Sequence, residues 1–149
     1  MAKGADKFLE FVQQTFEVRT TGRFPNEDGT VGQAEITVGE SVLMTFDAAP
    51  EWPDTPAFLS VYVDDVERTY QRALDAGATV VTELMSSGIT GDRGGRVKDP
   101  LGNIWWLQTH VEDVDADQAR ALFADPAELA AMRHAQQTFA DEMLSRTTS

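Results

Sequence analysis

The chain has 149 residues, of which 42% are hydrophobic and 9% aromatic, a composition typical of one globular domain with a buried core. Its 25 acidic side chains outnumber the 12 basic ones, and the resulting formal charge of -13 would repel a nucleic-acid backbone. The absence of cysteine excludes disulfides, thiolate nucleophiles and cysteine metal sites. No apolar run is long enough to span a membrane, and the opening residues turn polar too soon for a signal peptide. We therefore expect a soluble, cytoplasmic protein with no nucleic-acid or membrane partner.

The first half of the chain predicts one helix followed by three strands. Residues 5–16 place apolar side chains at helical spacing, which indicates a short amphipathic helix. Residues 17–24, 30–38 and 41–48 are β-rich and separated by glycine-containing turns, a pattern typical of a three-stranded meander. The loop that follows, APEWPDTP, carries Trp52 among three prolines that forbid regular structure.

The second half repeats this order and places one more strand in front of it. Residues 57–65 predict that strand, and Asp64 at its end can cap a helix that runs to Gly77. Three further strands are predicted at residues 78–84, 94–100 and 103–110, joined by glycine-rich turns. The helix starts at positions 5 and 66 lie 61 residues apart, and so do the strand starts at positions 17 and 78. This spacing indicates two copies of one βαβββ unit.

Residues 116–149 differ in composition from the rest and predict two helices. Pro126 suits the first turn of the second helix. Its apolar stripe could pack on the domain or on a second subunit. The stripe consists of Leu129, Met132, Phe139 and Met143.

The predicted fold class is therefore α+β. One domain of residues 1–115 holds paired βαβββ modules, at about residues 1–49 and 57–112, and residues 116–149 form a C-terminal helical extension. The first strand of module one is missing or very short, because only four residues precede the helix. The open sheet edge that this leaves could be covered by another chain, so we expect a homodimer.

Three segments resemble the vicinal oxygen chelate superfamily, which contains glyoxalase, bleomycin-resistance and extradiol-dioxygenase proteins, and within it the PhnB-like branch. They are GQAEITVGESVLM, AFLSVYVDDVERTYQRALDAGATVV and GDRGGRVKDPLGNIWWLQTHVEDV, and the likeness covers roughly residues 5–115. The resemblance implies the paired βαβββ fold and a cleft. It does not imply one function, since the superfamily includes isomerases, dioxygenases, transferases and metal-free drug binders.

The resemblance also implies where a metal ion would be held, on the first and last strands of each module. The first of these strands is the missing one. The other positions carry Met44 or Leu43, Ser60 in place of a frequent histidine, and Trp106 in place of a glutamate. A serine and apolar side chains do not bind a divalent cation. We therefore expect no metal and no other cofactor.

Trp105 and Trp106 must point to opposite sides of their strand, because side chains alternate along a strand. We expect Trp105 to pack beneath the helices and Trp106 to face the cleft, either as a stacking platform for a ligand or as the filler of a cavity. Trp52 either closes over the cleft or simply packs on the surface. An apolar, aromatic cleft suits a flat organic molecule. The predicted ligand-binding residues are Met44, Trp52, Phe58, Ser60, Tyr62, Trp106 and Gln108.

Two residues are candidates for acid–base catalysis. His110 has a suitable side chain for proton transfer near neutrality, and Glu112 or Asp113 could hold its ring. The alternative for His110 is a structural role at the end of the sheet. Glu35 would be an acid or base if it points into an apolar cleft, and an ordinary surface carboxylate if it points outward.

In the segment GDRGGRVKDP, charged residues surround glycines. This pattern predicts a turn that shapes the fold. It lacks the strand-loop-helix context of a phosphate loop.

Three functions follow as alternatives. The first is metal-free binding of a small aromatic or apolar organic molecule, in a drug-sequestering or auxiliary role. The second is a metal-dependent or acid–base enzyme of the same superfamily, a lyase, isomerase or dioxygenase, that uses Glu35 and His110. The third is an assembly module whose cleft has collapsed. The sequence leaves open whether the protein is an enzyme.

Overall fold

The computed structural model describes residues 4–146, and its four helices and seven strands confirm the predicted α+β class. The elements are α1 Ala5–Phe16, β1 Thr20–Pro25, β2 Val31–Val38, β3 Ser41–Thr45, β4 Phe58–Tyr62, α2 Val66–Asp75, β5 Thr79–Ser87, β6 Asp92–Lys98, β7 Ile104–His110, α3 Ala116–Leu122 and α4 Pro126–Ser145. The predicted module one includes residues 1–3, and the predicted C-terminal extension includes residues 147–149. Both of these ends lie outside the described residues.

The first module has the predicted meander, a three-stranded sheet in the order β1-β2-β3. β1 begins three residues later than expected because Glu17, the C-cap of α1, adopts a left-handed conformation with φ of 54°. Asp47, beyond β3, accepts backbone hydrogen bonds from Gly4, Ala5 and Val31 at 2.7–3.0 Å. This carboxylate joins the start of α1 to the sheet. β3 is an edge strand, at the place where the second module has one strand more.

The second module is a four-stranded sheet in the order β4-β7-β6-β5, with β4 parallel to β7 and the other pairs antiparallel. The spacing of the predicted repeat is confirmed, since the corresponding strands β2 and β6 begin at Val31 and Asp92, which are 61 residues apart. The helix cap was predicted one residue too early. Asp65, not Asp64, has the extended backbone of an N-cap, and its carboxylate accepts the hydrogen bond from the Arg68 N–H at 3.0 Å.

One hydrophobic core joins the two modules. Trp105 on β7 is fully buried, and α1 of the first module packs on it and on α2. The rings of Phe8, Phe11 and Phe16 lie 6.0, 5.9 and 5.5 Å from the Trp105 ring. Its Nε1 donates to the buried Asp99 carboxylate at 3.0 Å. The expectation that Trp105 packs beneath the helices is confirmed.

The two predicted C-terminal helices are present, and α4 begins at Pro126 with Asp125 as its cap. α4 lies over the four-stranded sheet on the face opposite the core. Thr138 contacts Thr82 on β5 at 2.7 Å between hydroxyl oxygens, and Glu142 binds the Lys98 ammonium at 2.9 Å. The domain therefore supplies its own cover for this face of the sheet. Within residues 4–146, no helix is both long and apolar enough to cross a membrane.

Candidate functional site: a cavity between the sheet and α4

Three neighbouring strands place polar and aromatic side chains on the face of the sheet that α4 covers. Trp106 on β7 pairs with Ser60 on β4 and with Arg96 on β6. Gln108, two residues further along β7, lies on the same face and donates from its amide to the Ser60 hydroxyl at 2.9 Å. The alternation of a strand therefore separates Trp106 from its buried neighbour Trp105, as the sequence predicted.

A cavity of about 240 Å³ lies between this face and α4. Trp106, Gln108 and Arg96 form its floor, and Ala131, Met132 and Ala135 of α4 form its roof. Most of the lining is apolar, which is the usual character of a small-molecule site with a few polar anchors.

Arg96 is the most unusual residue of the site. Its guanidinium carbon lies 4.4 Å from the centre of the Trp106 ring and 5.3 Å from that of Phe139, an arrangement of two cation–π contacts. Nη1 donates to the Ala135 carbonyl at 2.8 Å and to the Thr82 hydroxyl at 3.3 Å. Burial lowers the pKa of Arg96, because it penalises the charged form. This cation therefore holds the sheet, the aromatic rings and α4 together.

The sequence did not identify Arg96 as a site residue, because it is one of several charges around glycines. The strand predicted at residues 94–100 is present as β6, so the charges from Asp92 to Lys98 lie on a strand and not in a turn. One signal in the sequence bears on it, since the 61-residue repeat places Arg96 in the position that Glu35 occupies in the first module. The register of β6 and β7, which only the structure gives, brings Arg96 opposite Trp106.

Glu128 lines the same cavity from the first turn of α4. One of its carboxylate oxygens accepts the Gly88 N–H at 3.2 Å. The other is buried and has no hydrogen-bond partner among residues 4–146. The sequence gave no sign of it, because a glutamate at the start of a helix is usually exposed and interacts with the helix dipole.

His110 lies beside the cavity with both ring nitrogens engaged. Nδ1 is 2.9 Å from Asp92, and Nε2 is 2.9 Å from Asp113. Of the two carboxylates that the sequence offered, Asp113 is the one that contacts the ring, and Asp92 was not expected there. The Tyr62 hydroxyl donates to the same Asp92 carboxylate at 2.9 Å. Hydrogen bonds to Asp92 and then Asp113 raise the pKa of His110, since both stabilise the imidazolium. The cluster links β4, β6 and β7 to the segment that leads into α3.

Of the predicted ligand-binding residues, Trp106 and Gln108 line the cavity. Ser60 contacts Gln108, and Phe58 meets Phe139 of α4 edge-on at 5.3 Å, so both lie next to it. Tyr62 belongs to the His110 cluster.

The other predicted site residues lie elsewhere. Met44 and Glu35 are paired on the first sheet, where Met44 is 60% exposed, and they do not line the cavity. Trp52 is in the loop before β4 and is 43% exposed. The candidate acid–base pair of Glu35 and His110 is therefore divided between two sheets.

The residues at the family's metal positions do not suit a metal ion. Ser60 and Trp106 are adjacent in register, and the Ser60 hydroxyl already accepts the Gln108 amide. A hydroxyl, an indole and the thioether of Met44 are poor ligands for a hard or borderline cation. No group of three or more histidine and carboxylate side chains among residues 4–146 is arranged to hold a metal.

An αβββ unit followed by a βαβββ unit, with a cavity above the second sheet, is the arrangement that this chain shows. The chain belongs to the Glyoxalase/Bleomycin resistance protein/Dioxygenase superfamily, whose family model matches residues 1–107. This confirms the resemblance at the level of the superfamily.

Several relatives share the sequence or the fold. Uncharacterized proteins of Mycobacterium bovis and Mycobacterium tuberculosis are 34% identical over 124 residues, which cover 76% of this chain and 81% and 72% of the relatives. Among solved structures, TioX from Micromonospora has a TM-score of 0.60 at 24% identity, covering 73% of this chain and 92% of its own. Lactoylglutathione lyase from Agrobacterium tumefaciens has a TM-score of 0.54 at 19% identity, covering 72% and 87%. A PhnB protein from Bacillus cereus has a TM-score of 0.54 at 16% identity, covering 73% and 93%. At these identities the structures show the common fold.

Proposed function

We propose that the protein binds a small aromatic or apolar organic molecule in the cavity between the four-stranded sheet and α4, without a metal ion, in a drug-sequestering or auxiliary role. The observation that carries this proposal is the cavity of about 240 Å³ with Trp106 in its floor and apolar side chains of α4 in its roof. A flat ring in this space would replace water on apolar surface and contact an indole. We also retain the prediction of a PhnB-like protein, with which the shared fold of the Bacillus cereus PhnB protein is in line.

The alternative of acid–base catalysis has less support. A general base needs a free nitrogen within reach of the substrate proton, and both nitrogens of His110 are bound to carboxylates. Its geometry favours a structural link between strands. The alternative of a collapsed cleft is likewise disfavoured, because a cavity large enough for a substituted ring lies beside Trp106.

Calorimetric titration with single-ring aromatic compounds tests the proposed site. Replacing Trp106 with alanine should weaken binding about tenfold or more, since a buried aromatic anchor often contributes more than 1 kcal/mol. Trp52→Ala is the matched control and should leave the affinity unchanged, because Trp52 does not line the cavity. Equal affinity of wild type and Trp106→Ala would show that any binding occurs elsewhere.

We further propose that a second copy of the chain covers the outer face of the first sheet, as expected for a homodimer. Phe24, Val42 and Met44 are 63%, 59% and 60% exposed, and strand pairing places them on the face away from α1. Such a group of exposed apolar side chains is typical of an interface.

Val42→Lys combined with Met44→Lys should convert a dimer into a monomer in sedimentation velocity, because the charges would be buried unpaired. Val80→Lys, at a 49% exposed position on the edge strand of the other sheet, is the control and should not change the mass. A wild-type monomer at all concentrations, or a dimer that survives both lysines, would contradict this interface.

A further inference from the structure

Two charged side chains of opposite sign line the cavity, and neither has an ionic partner among the described residues. Arg96 comes from the sheet and Glu128 from α4. Arg23, Arg72 and Arg93 show the more usual arrangement, since each of them meets a carboxylate. Charged groups that lose water without gaining a partner are costly, and a ligand can provide the missing interaction.

The cation end of the cavity is defined by Arg96. Its planar group is fixed between Trp106 and Phe139 and by the Ala135 carbonyl, so the charge has one orientation. Its Nε is buried and has no hydrogen-bond partner among residues 4–146. A guanidinium that stacks on aromatic rings and lacks a carboxylate is suited to an anionic oxygen.

The acceptor end is defined by Glu128. Its second carboxylate oxygen has no partner in the described part of the chain, although the first accepts the Gly88 N–H. Glu128 lies seven residues before Ala135 on α4, which corresponds to about 10 Å along a helix. The two charges are therefore at opposite ends of the cavity, with Ala131 and Met132 between them.

The third charged residue of the lining does not alter this polarity. Asp92 accepts hydrogen bonds from Tyr62 and from His110, whose raised pKa favours the imidazolium. Its charge is thus already balanced, and Arg96 and Glu128 remain the groups for a ligand to meet.

We propose that the ligand is an elongated aromatic molecule with an anionic oxygen at one end, facing Arg96, and a hydroxyl or N–H donor at the other, facing Glu128. This inference rests on the proposed function and names the class of molecule for the same cavity. The ring would lie between the two ends, against Trp106 and the methyl groups of α4.

Four compounds of similar shape separate the contributions of the two ends. They are 3-(4-hydroxyphenyl)propionate with both groups, 3-phenylpropionate with the acid alone, 4-propylphenol with the hydroxyl alone, and propylbenzene with neither. In calorimetric titrations, 3-(4-hydroxyphenyl)propionate should bind about 100-fold more tightly than propylbenzene. 3-Phenylpropionate and 4-propylphenol should each bind about tenfold more tightly than propylbenzene, as expected for hydrogen bonds to charged groups. The methyl ester of the first compound should lose the contribution of the acid, a result that does not depend on any protein variant.

Protein variants assign each contribution to a residue. Because Arg96 also holds α4, its variants are compared by the preference for an acid over the matching uncharged compound. Arg96→Met should abolish this preference of about tenfold, whereas Arg96→Lys should retain part of it. Glu128→Gln should reduce only the part of the affinity that the hydroxyl contributes, and should leave the contribution of the acid group unchanged. Arg133→Met is the control, since Arg133 is an exposed arginine of α4 that does not line the cavity.

The outcomes separate this inference from the proposed function. If propylbenzene binds as tightly as the acids, or if Arg96→Met weakens all four compounds equally, the cavity binds ligands but the proposed ligand chemistry is wrong. If none of the four compounds binds to the wild-type protein, the proposed function fails and this inference fails with it.

Discussion

Trp105 and Trp106 are adjacent in the chain and have different environments. Trp105 is fully buried beneath α1, whereas Trp106 faces the cavity and stacks on Arg96. The sequence predicted this division because alternation along a strand is obligatory. It could not predict Arg96, since the partner of a side chain on the next strand depends on the register between strands.

His110 leads to a prediction about pH. The neighbouring Asp92 and Asp113 raise its pKa in the folded state, so folding is favoured by the imidazolium. The stabilising contribution is complete below the unfolded pKa of about 6.5 and is lost as the pH rises through the folded pKa. Asp92→Asn should therefore lower the pKa of His110 and reduce the pH dependence of stability in this range.

Proton NMR of the two histidine rings measures this effect. The His134 signal is an internal control, since that ring contacts Glu83 on β5. An unchanged titration of His110 in Asp92→Asn would mean that the carboxylate contact does not stabilise the imidazolium.

At the scale of elements, α4 is attached to the sheet by contacts along its length. Glu128 binds Gly88 near its start, Phe139 meets Phe58 in its second half, and Glu142 binds Lys98 near its end. The sequence predicted the helix and its first residue from local signals, namely Pro126 and the preceding aspartate cap. It left open whether the apolar stripe packs on the domain or on a second subunit, because the composition of a helix does not identify its partner.

Phe139→Ala should loosen α4 without unfolding the sheet. The substitution removes an edge-on ring contact and one side of the Arg96 stack, so amide exchange in residues 126–146 should become about tenfold faster. Hydrogen exchange with mass spectrometry measures this for each segment, and peptides from β6 and β7 should keep their protection.

Met143→Ala is the matched control on the same helix, because Met143 is 43% exposed. Equal effects of the two alanines would mean that the Phe139 contacts do not hold the helix.

At the scale of the molecule, the two modules share one core. α1 of the first module completes the environment of Trp105 in the second, so neither module has a separate hydrophobic centre. Phe11→Ala should therefore destabilise the whole protein by about 3–5 kcal/mol. Guanidinium unfolding followed by far-UV circular dichroism and by fluorescence should give coincident transitions at a lower midpoint. Two separate transitions would contradict a common core.

The internal repeat made the overall fold predictable, because its 61-residue spacing fixed which strand of one module corresponds to which strand of the other. The position of the cavity was not predictable in the same way. The sequence predicted Met44 in one cleft with Trp106 and left the direction of Glu35 open, whereas in the described chain the roof above Trp106 is α4. A repeat defines each module, but the segment that covers a sheet face is chosen by tertiary packing.

The three tryptophans occupy three different environments, namely a buried core, a cavity wall and an exposed loop. Since indole emission depends on the polarity around the ring, the natural protein carries its own set of optical reporters. Trp105 would report global unfolding, Trp106 the state of the cavity, and Trp52 the surface loop. Variants that keep one tryptophan at a time would therefore separate ligand binding from loss of structure in a single emission spectrum, with no added dye.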